Sequence, residues 1–400
     1  MNLAQILAFR RKDSNLKATD FGASDSGLDL IETPDHPYPS DVTPGQQLNG
    51  PRMITFDGDQ TLYSDGANFE SNPKLAYYIY QLLRHGVAVA VVTAAGYEYD
   101  VEKYELRLSG LLHYFQQHTL TQEQCERFYL FGGECNYLLQ LQDDYRLHPV
   151  RESGPGGWST STKYLFDSPG NWSDEEIRCL LDGSQETLQK SMDELNLKGR
   201  IIRKRRSVGL VPLPGATMTR ESLDEAVLRV HEKLHHMNNG CGPGIPFCAF
   251  NCGTDAWVDC GSKRVGVRIL QCYLGIEPDK TLHIGDQFLN TGNDYAARAA
   301  SPCVWITNPV ETSYCLKTIL RLAGVPVAVP PSLETMDRVE SSNADTDEDD
   351  VVTEIPGKRG QNAERKESKI DFEEIERRRA SAKIMDVYTG EMVNRSASLN

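Results

Sequence analysis

The chain contains no apolar run that approaches the about 18 consecutive residues of a membrane-spanning helix. Its start has an apolar stretch at residues 1–9 followed by Arg10 and Arg11, with the positive charge after the stretch, so no export signal is expected. Cysteine is scarce as well, at 10 in 400 residues, far below the density of a disulfide-stabilised scaffold. We therefore expect a cytoplasmic protein with reduced thiols and no membrane partner.

Positive charge is in the minority, since 42 Lys and Arg stand against 57 Asp and Glu, for a formal net charge of −15. A surplus of negative charge repels nucleic-acid backbones and anionic lipid surfaces. We therefore expect no nucleic-acid partner, and an anionic ligand has to be held by a local group of cations. At 400 residues the chain is also too long for a single small module and predicts two folded units.

Strand and helix patterns alternate in two separate parts of the chain. Residues 53–56 form a short apolar strand, residues 75–85 a helix, and residues 87–92 a near-continuous apolar run. Such a run is typical of a parallel strand that is buried on both faces. Late in the chain, residues 263–276 follow a helical pattern and residues 281–284 a strand pattern. The two parts together predict an α/β core that is discontinuous in sequence.

The segment between these parts mixes helix-like and strand-like patterns and predicts an inserted α+β domain. From Glu334 to Asn400 there are 17 acidic and 11 basic residues, a composition typical of a disordered tail. The predicted divisions are an N-terminal extension at 1–50, a core at 51–100 and 251–330, an α+β domain at 101–250, and a disordered acidic tail at 331–400.

Asp57 and Asp59 follow the first predicted strand at its carboxyl end, where open α/β sheets place their ligand sites. In extended backbone both carboxylates point to the same side, and Gly58 between them lets a ligand approach the main chain. Such a pair implies a bound cation, a shared proton, or a division into nucleophile and acid/base. The alternative is a turn in which the two carboxylates cap backbone groups.

Other polar residues reach the same predicted edge. Thr93 closes the second strand and is followed by free backbone amides, which suit phosphate oxygens. Asp286 follows the strand at residues 281–284, and with Asp57 it predicts a site for a hard divalent cation such as Mg²⁺. Further oxygen ligands trail Asp286 at Asn290, Asn293 and Asp294. Lys263, at the start of a helix, supplies compensating positive charge.

These segments resemble the motifs of the haloacid dehalogenase superfamily of phosphohydrolases, which show Asp-x-Asp-x-Thr, Ser or Thr, Lys, and Gly-Asp with a further acid. More narrowly, four segments are similar to the IMP-specific 5′-nucleotidase family: 55–66 (TFDGDQTLYSDG), 91–97 (VVTAAGY), 253–263 (GTDAWVDCGSK) and 285–294 (GDQFLNTGND). The resemblance runs from about residue 49 to residue 324.

The resemblance implies roles for the motif residues. Asp57 would be the nucleophile that becomes an aspartyl phosphate, and Asp59 would protonate the leaving oxygen and then activate water. Mg²⁺ would be held by Asp57, by the main-chain carbonyl of Asp59 and by Asp286. Thr93 and Lys263 would bind the phosphoryl oxygens, with Asp59 also in contact with the substrate.

Further positions concern the nucleoside part of the substrate. Asp65 and Asp255 match family positions that contact the nucleotide. Trp257 and Tyr295 are candidates for stacking on the purine, with ordinary packing as the alternative for each. The resemblance also implies IMP as substrate, ATP as a candidate effector and a homo-oligomer, a tetramer.

The spacing of the motifs adds an expectation about the fold. Thr93 lies 36 residues after Asp57, but Lys263 lies 170 residues after Thr93. We therefore expect a Rossmann-like parallel-sheet core of the haloacid dehalogenase type, with the α+β domain inserted as a cap between the second and third motifs. Caps of this kind go with small diffusible substrates and exclude water when they close.

Other interpretations stay open. A sugar-phosphate phosphatase or phosphomutase of the same superfamily would carry the same motifs, and so would a non-catalytic nucleotide sensor. The basic run at residues 203–206 is either a solvated strand edge or a site for nucleotide phosphate or an anionic effector. Four clustered cysteines are interpreted as buried thiols and not as a zinc site, because they lack a Cys-x-x-Cys pair: Cys241, Cys248, Cys252 and Cys260.

Overall fold

The computed structural model describes residues 48, 50–64, 66–70, 72–159, 168–238, 244–325, 327, 383–385 and 392–394. The chain divides into two compact units, Met1–Glu340 and Ser341–Asn400, and each is described by itself. None of the described helices is both long and apolar enough to cross a membrane.

The described part of the first unit contains eleven strands and eight α-helices. The strands are β1 (Met53–Phe56), β2 (Ala88–Val92), β3 (Phe128–Gly132), β4 (Tyr137–Leu141), β5 (Leu147–Pro149), β6 (Gly199–Arg203), β7 (Ser207–Pro212), β8 (Phe247–Asn251), β9 (Ala256–Cys260), β10 (Thr281–Gly285) and β11 (Cys303–Trp305). The helices are α1 (Pro73–Arg84), α2 (Val101–Arg107), α3 (Ser109–Gln117), α4 (Gln122–Cys125), α5 (Asp174–Glu194), α6 (Arg220–Asn238), α7 (Lys263–Leu274) and α8 (Pro309–Leu322).

Seven strands form the core sheet in the order β11-β10-β1-β2-β3-β4-β5. The strands from β11 to β3 are parallel, and β4 and β5 are antiparallel at one edge. Every residue of β1, β2 and β10 is buried, and the near-continuous apolar run of β2 is typical of a strand covered on both faces. The prediction of an α/β fold with a mostly parallel sheet is confirmed.

Helices cover both faces of this sheet, and successive strand residues alternate between them. Ile54 and Phe56 of β1 pack in one cluster with side chains of α1, α3 and α8, such as Leu82. Met53, on the opposite face, packs in a second cluster with Ile269 of α7. The loops at the carboxyl ends of the parallel strands are therefore the open edge of the core.

The inserted domain has a four-stranded antiparallel sheet in the order β6-β7-β9-β8, with α5 and α6 on one face. Ala256 and Val258 of β9 point to these helices and belong to a separate apolar cluster. Trp257 and Asp259 alternate with them and lie on the face without helices. The insertion lies between Thr93 and Lys263, as the spacing predicted.

The predicted boundaries of the insertion, 101–250, are wrong at both ends. β3 pairs with β2 in parallel and continues into β4 and β5, so residues 128–149 belong to the core sheet. At the other end β8 pairs with β9, so the cap continues to Cys260. The cause is physical: the sequence of a strand indicates that it is a strand, but not which distant strand it pairs with.

In the second unit, β12 (Lys383–Met385) and β13 (Met392–Asn394) form an antiparallel pair with Ile384 opposite Val393. All other residues of the predicted disordered tail, 331–400, lie outside the described residues. The same holds for the predicted extension, 1–50, apart from Leu48 and Gly50.

Candidate active site

The carboxyl ends of three neighbouring core strands form the centre of the site. β1 lies between β10 and β2, so the residues that follow these strands, Asp57, Asp286 and Thr93, emerge next to one another. The N–H of Asp57 still donates to the carbonyl of Ile284 at 2.9 Å, which fixes the start of the loop after β1 to the sheet. The backbone therefore places these predicted residues at one edge.

Gly58 leaves no room for a side chain. A Cβ atom at this position would lie 2.5 Å from the hydroxyl oxygen of Tyr63 and 3.3 Å from Oγ1 of Thr93. The Thr93 hydroxyl is itself oriented by a 3.1 Å hydrogen bond that it accepts from the N–H of Ala95. A hydroxyl and a main-chain segment without a side chain thus adjoin Asp57, an arrangement suited to phosphate oxygens.

Lys263 is a fully buried cation at the first turn of α7. Its Nζ lies 2.7 Å from Oδ1 of Asp57 and 2.6 Å from Oδ1 of Asp294. Burial alone lowers the pKa of a lysine, but the charges of Asp294 and Asp57 outweigh it and hold the pKa of Lys263 well above its usual value. The ammonium group therefore stays charged beside Asp57.

Asp294 uses both of its oxygens inside the protein. Oδ1 accepts hydrogen bonds from Lys263 and from Nε2 of His283, the latter at 2.9 Å, and Oδ2 accepts one from the N–H of Gln287 at 2.9 Å. Burial raises the pKa of this carboxyl, but Lys263 and His283 lower it by more, so the net shift is downward. Asp294 is therefore an ionised anchor for Lys263.

Asp57, Asp286 and Asp294 form an acidic cluster in which one oxygen from each lies within 4.8 Å of the others. Burial raises the pKa of Asp57 well above its usual value and that of Asp286 to about 6. Oδ1 of Asp286 is buried and has no hydrogen-bond partner among the described residues. One ammonium group does not balance three carboxylates, so this all-oxygen site fits a hard divalent cation.

Asp59 lies apart from this cluster. Both of its carboxylate oxygens accept hydrogen bonds from Nη2 of Arg107, at 2.7 and 2.9 Å, and Oδ1 also accepts one from the N–H of Gly66 at 3.0 Å. The guanidinium carbon of Arg107 lies 4.7 Å from the centre of the Tyr63 ring. The side chain of Asp59 is thus held by Arg107 and Gly66, and its predicted contact with a metal depends on its main-chain carbonyl.

The helix-free face of the cap sheet is turned toward this edge of the core. Trp257 covers Gly209 of the neighbouring strand, where a Cβ atom would lie 2.6 Å from the indole ring. Nζ of Lys204 lies 4.6 Å from the centre of the same ring. The N–H of Asn251, at the end of the cap strand β8, donates to the carbonyl of the core residue Thr291 at 2.9 Å. The candidate site, which we call the cleft, therefore lies between the carboxyl edge of the core and the cap, with the acidic cluster, Thr93 and Lys263 on the core side and Trp257 on the cap side.

A model of the IMP-specific 5′-nucleotidase family matches residues 39–316. This range includes the core strands, the cap and all the residues of the cleft. The chain belongs to the IMP-specific 5′-nucleotidase family.

Curated relatives of the same family have similar sequences. The IMP-specific 5′-nucleotidase 1 of Plasmodium falciparum (isolate 3D7) is 39% identical over 282 residues, which cover 68% of this chain and 60% of that protein. The protein of the same name from Yarrowia lipolytica is 40% identical over 265 residues, or 65% of this chain and 61% of that protein. The chain thus spans about three fifths of the length of these curated relatives.

Solved structures of the family agree with the fold. An N-terminally truncated, IMP-bound P. falciparum IMP-nucleotidase is 38% identical and aligns with a TM-score of 0.61, over 68% of this chain and 69% of that one. The ATP-bound P. falciparum IMP-nucleotidase is also 38% identical and aligns with a TM-score of 0.58, over 68% and 61% of the two chains.

The remaining predicted site residues of this nucleotidase-family chain have different surroundings. Asp255 is half-buried in the β8–β9 turn, two residues from Trp257 and on the same strand face. Tyr295 is 47% exposed, and its ring lies 5.3 Å from the guanidinium carbon of Arg298. Its stacking on a purine stays a prediction. Asp65 lies outside the described residues.

The basic run at 203–206 is divided between two sides of the cap. Arg203 donates to Asp182 of α5 at 2.8 Å, whereas Arg206 donates to Oδ1 of the core residue Asn136 at 2.8 Å. Asn136 also donates to the carbonyl of Cys260 at 2.7 Å and so ties the cap to the core. Part of the run is therefore solvated edge, and part contacts the core.

Sequence reasoning missed three residues of the site. Arg107 and His283 lie inside regular elements and belong to no motif. The third is Glu134, fully buried in the turn after β3, with Oε1 accepting a 2.9 Å hydrogen bond from Asn293. Burial raises the pKa of Glu134 to about 7. In this turn Gly133, Glu134 and Cys135 have φ of 61°, 51° and 74°. The signal of the turn in the sequence is the pair Gly132-Gly133 before Glu134.

Three of the four clustered cysteines lie among the described residues. Cys248 and Cys260 are buried and Cys252 is half-buried. Among the described residues, the group that could hold a metal consists of aspartates alone. Cys241 lies outside the described residues.

Proposed function

We propose that this protein is a Mg²⁺-dependent 5′-nucleotidase that hydrolyses IMP to inosine and phosphate through an aspartyl phosphate on Asp57. The observation that carries the proposal is the pairing of a buried carboxylate with a buried ammonium group at 2.7 Å, next to a carboxylate oxygen of Asp286 that lacks a partner. A nucleophile, a cation for the phosphoryl oxygens and a metal site are thus adjacent.

Asp57, Asp286 and the main-chain carbonyl of Asp59 would hold the Mg²⁺ ion. When bound, the ion supplies positive charge that offsets the repulsion between a carboxylate nucleophile and a phosphate monoester. Asp294 is left out of this set because its oxygens already accept hydrogen bonds from Lys263, His283 and Gln287.

The reaction has two steps, with Asp57 as the nucleophile of the first and Asp59 transferring a proton in each. In the first step a carboxylate oxygen of Asp57 attacks phosphorus, the bond to the 5′-oxygen breaks, and Asp59 gives that oxygen a proton. In the second step Asp59 removes a proton from water, whose oxygen attacks phosphorus and releases phosphate from Asp57. Thr93 and Lys263 bind the phosphoryl oxygens and spread their charge.

The cap would provide recognition of the nucleoside. Trp257 offers an aromatic surface over the cleft, and Asp255 on the same strand face offers a carboxylate to hydroxyl or N–H donors. Asp65 and Tyr295 are proposed to take part on the resemblance alone. The family and the IMP-bound relative support IMP as substrate. The ATP-bound relative supports binding of ATP, which we propose as an effector on the resemblance.

Three further properties stay proposals. A homotetramer, a cytoplasmic location and a part in purine salvage follow from the resemblance and from composition. Light scattering on the purified full-length chain tests the first, and a monomer at micromolar concentration would contradict it.

The alternatives are less well supported. Family membership favours a nucleotide over a sugar phosphate. A non-catalytic sensor would be expected to lose at least one catalytic group, yet this chain retains the whole set: Asp57, Asp59, Thr93, Lys263 and Asp286.

The decisive experiment measures initial phosphate release from IMP, AMP, GMP and an aryl phosphate, each with Mg²⁺ and with EDTA. Mg²⁺-dependent preference for IMP, absent in Asp57→Asn, supports the proposal. Equal activity on all four esters would reject the nucleotide specificity but keep the phosphatase chemistry. No release from any ester would favour the sensor.

A further inference from the structure

A line of buried hydrogen bonds leads from β1 through β10 to the ammonium group beside Asp57. The Thr55 hydroxyl lies 2.8 Å from Nδ1 of His283, and Nε2 of the same ring lies 2.9 Å from Oδ1 of Asp294. That oxygen also accepts the 2.6 Å hydrogen bond from Lys263. Thr55, His283, Asp294 and Lys263 are each 0% exposed, so bulk water does not replace a lost partner.

One placement of the hydrogens satisfies every atom in this line. An ionised Asp294 accepts but does not donate, so Nε2 of His283 has to carry a hydrogen. Nδ1 of a neutral ring is then an acceptor, and the Thr55 hydroxyl donates to it in preference to the carbonyl of Leu282, which is 3.5 Å away. Burial lowers the pKa of His283, which agrees with a neutral ring.

The other neutral tautomer does not fit. With its hydrogen on Nδ1, the ring would direct the lone pair of Nε2 at the carboxylate oxygen of Asp294, and two acceptors 2.9 Å apart repel. Asp294 therefore excludes this tautomer, and in the remaining one Nδ1 is a buried acceptor whose partner is the Thr55 hydroxyl.

We propose that His283 is a positioning residue for the hydrolysis proposed above, with Thr55 holding its ring in place through Nδ1; the inference rests on that proposed function. The Nε2–H group occupies one lone pair of Asp294 Oδ1 and leaves the other to Lys263. This arrangement holds Nζ of Lys263 where it also reaches Asp57, at 2.7 Å. The two residues act through Asp294 and contact neither substrate nor metal.

Loss of the Thr55 hydroxyl changes the chemistry but hardly the shape. In Thr55→Val the buried Nδ1 loses its donor, so the ring shifts from its position, and Asp294 and Lys263 shift with it. The ammonium group then no longer meets the charge that develops on the phosphoryl oxygens in the transition state. The expected loss is therefore mainly in kcat, with KM little changed.

The first test compares kcat and KM of three threonine variants on IMP and on an aryl phosphate. Thr55→Val should lower kcat by about tenfold or more on both esters, as for other residues that orient a catalytic group. Thr55→Ser, which keeps the hydroxyl, should stay within about twofold of the wild type. Thr281→Val is the matched control: Thr281 is also buried, lies at the far end of β10, and donates to the carbonyl of Glu277 at 3.1 Å.

Equal kcat in Thr55→Val and Thr281→Val would overturn the proposal, because removal of a buried hydroxyl would then explain any effect. So would failure of Thr55→Ser to restore activity in a folded protein. An enzyme that shows this pattern on the aryl phosphate but no preference for IMP would contradict the proposed substrate and support the positioning role.

The second test observes the tautomer directly and needs no variant to be active. The chain has nine histidines, and ¹⁵N labelling of histidine with His283→Gln as the assignment reference isolates one ring by NMR. Nδ1 of His283 should have the shift of a bare ring nitrogen and Nε2 that of an N–H. A hydrogen on Nδ1 in the wild type would overturn the assignment.

Discussion

Nη2 of Arg107 donates to both carboxylate oxygens of Asp59, although the two residues are 48 positions apart in the sequence. Arginine keeps its proton throughout the working pH range, so it orients this carboxylate without competing as an acid. A carboxylate oriented in this way is placed to accept a proton from water in the proposed second step. In the proposed first step Asp59 has to weaken this contact to protonate the leaving oxygen, so we expect Arg107 to favour the second half of the reaction.

Arg107→Met should therefore lower kcat on IMP by about ten- to a hundredfold, within the range that general acid–base catalysis contributes. Rapid-mix acid quench should show the aspartyl phosphate accumulating, because its hydrolysis becomes slower than its formation. Arg127→Met is the control, since Arg127 pairs with Glu123 at the surface, away from the cleft. An unchanged kcat in Arg107→Met would mean that the Arg107–Asp59 pair only holds the loop after β1 in place.

Gly58→Ala should abolish most activity because its methyl group would lie 2.5 Å from the Tyr63 hydroxyl oxygen. Removing that oxygen makes room, so the double variant Gly58→Ala/Tyr63→Phe should recover part of the kcat that the single variant loses. Overpacking of this kind costs about 1–3 kcal/mol, which thermal unfolding detects.

Gly244→Ala serves as its control, since a Cβ atom there meets nothing within 4 Å. A double variant no better than Gly58→Ala would show that the glycine is needed for close approach of the substrate to the main chain and not for space beside Tyr63.

Local sequence patterns sufficed to predict that Asp57, Thr93, Lys263 and Asp286 lie at one edge of the sheet. Each of them stands at the end of a strand with a recognisable apolar run or of a helix with a recognisable period. Neighbouring parallel strands then place their carboxyl ends at the same edge of the sheet. The fold class followed from the same patterns.

The missed residues depend on contacts that no local pattern encodes. Glu134 meets Asn293 across 159 positions, and His283 meets Thr55 across 228. The boundary error at 101–250 has the same origin, since β3 is recognisable as a strand but its pairing with β2 is a tertiary choice. Residues that position others are thus harder to predict from sequence than residues at strand ends.

Glu134 should make the free energy of unfolding pH-dependent. Its pKa is about 7 in the folded protein against 4.5 for an ordinary glutamate, because burial disfavours the charged form. The folded state then binds the proton more tightly than the unfolded state. Its contribution to stability is fully present below about pH 4.5, declines as the pH rises, and is lost above about pH 7.

Glu134→Gln removes this dependence, so the loss of unfolding free energy between pH 5 and pH 8 should be smaller in the variant by about 2–3 kcal/mol. Urea denaturation with EDTA at each pH measures it. Other buried carboxyls titrate in both proteins and cancel in the difference. Glu123→Gln, at an exposed site, should match the wild type. Parallel curves for wild type and Glu134→Gln would contradict the raised pKa.

Asp286 should reverse its effect on stability when the metal binds. Without metal its unpartnered oxygen adds to the repulsion within the acidic cluster, so Asp286→Asn should unfold at the same or a higher temperature than the wild type. Mg²⁺ at a hundred times its dissociation constant stabilises the folded state by about 2.7 kcal/mol, which should raise the wild-type midpoint by about 5 °C. Asp286→Asn should lose most of that rise, and Asp279→Asn, on an exposed turn, should keep it. If Mg²⁺ raised the unfolding midpoint equally in all three proteins, Asp286 would not be a ligand of the metal, whatever the outcome of the activity assay.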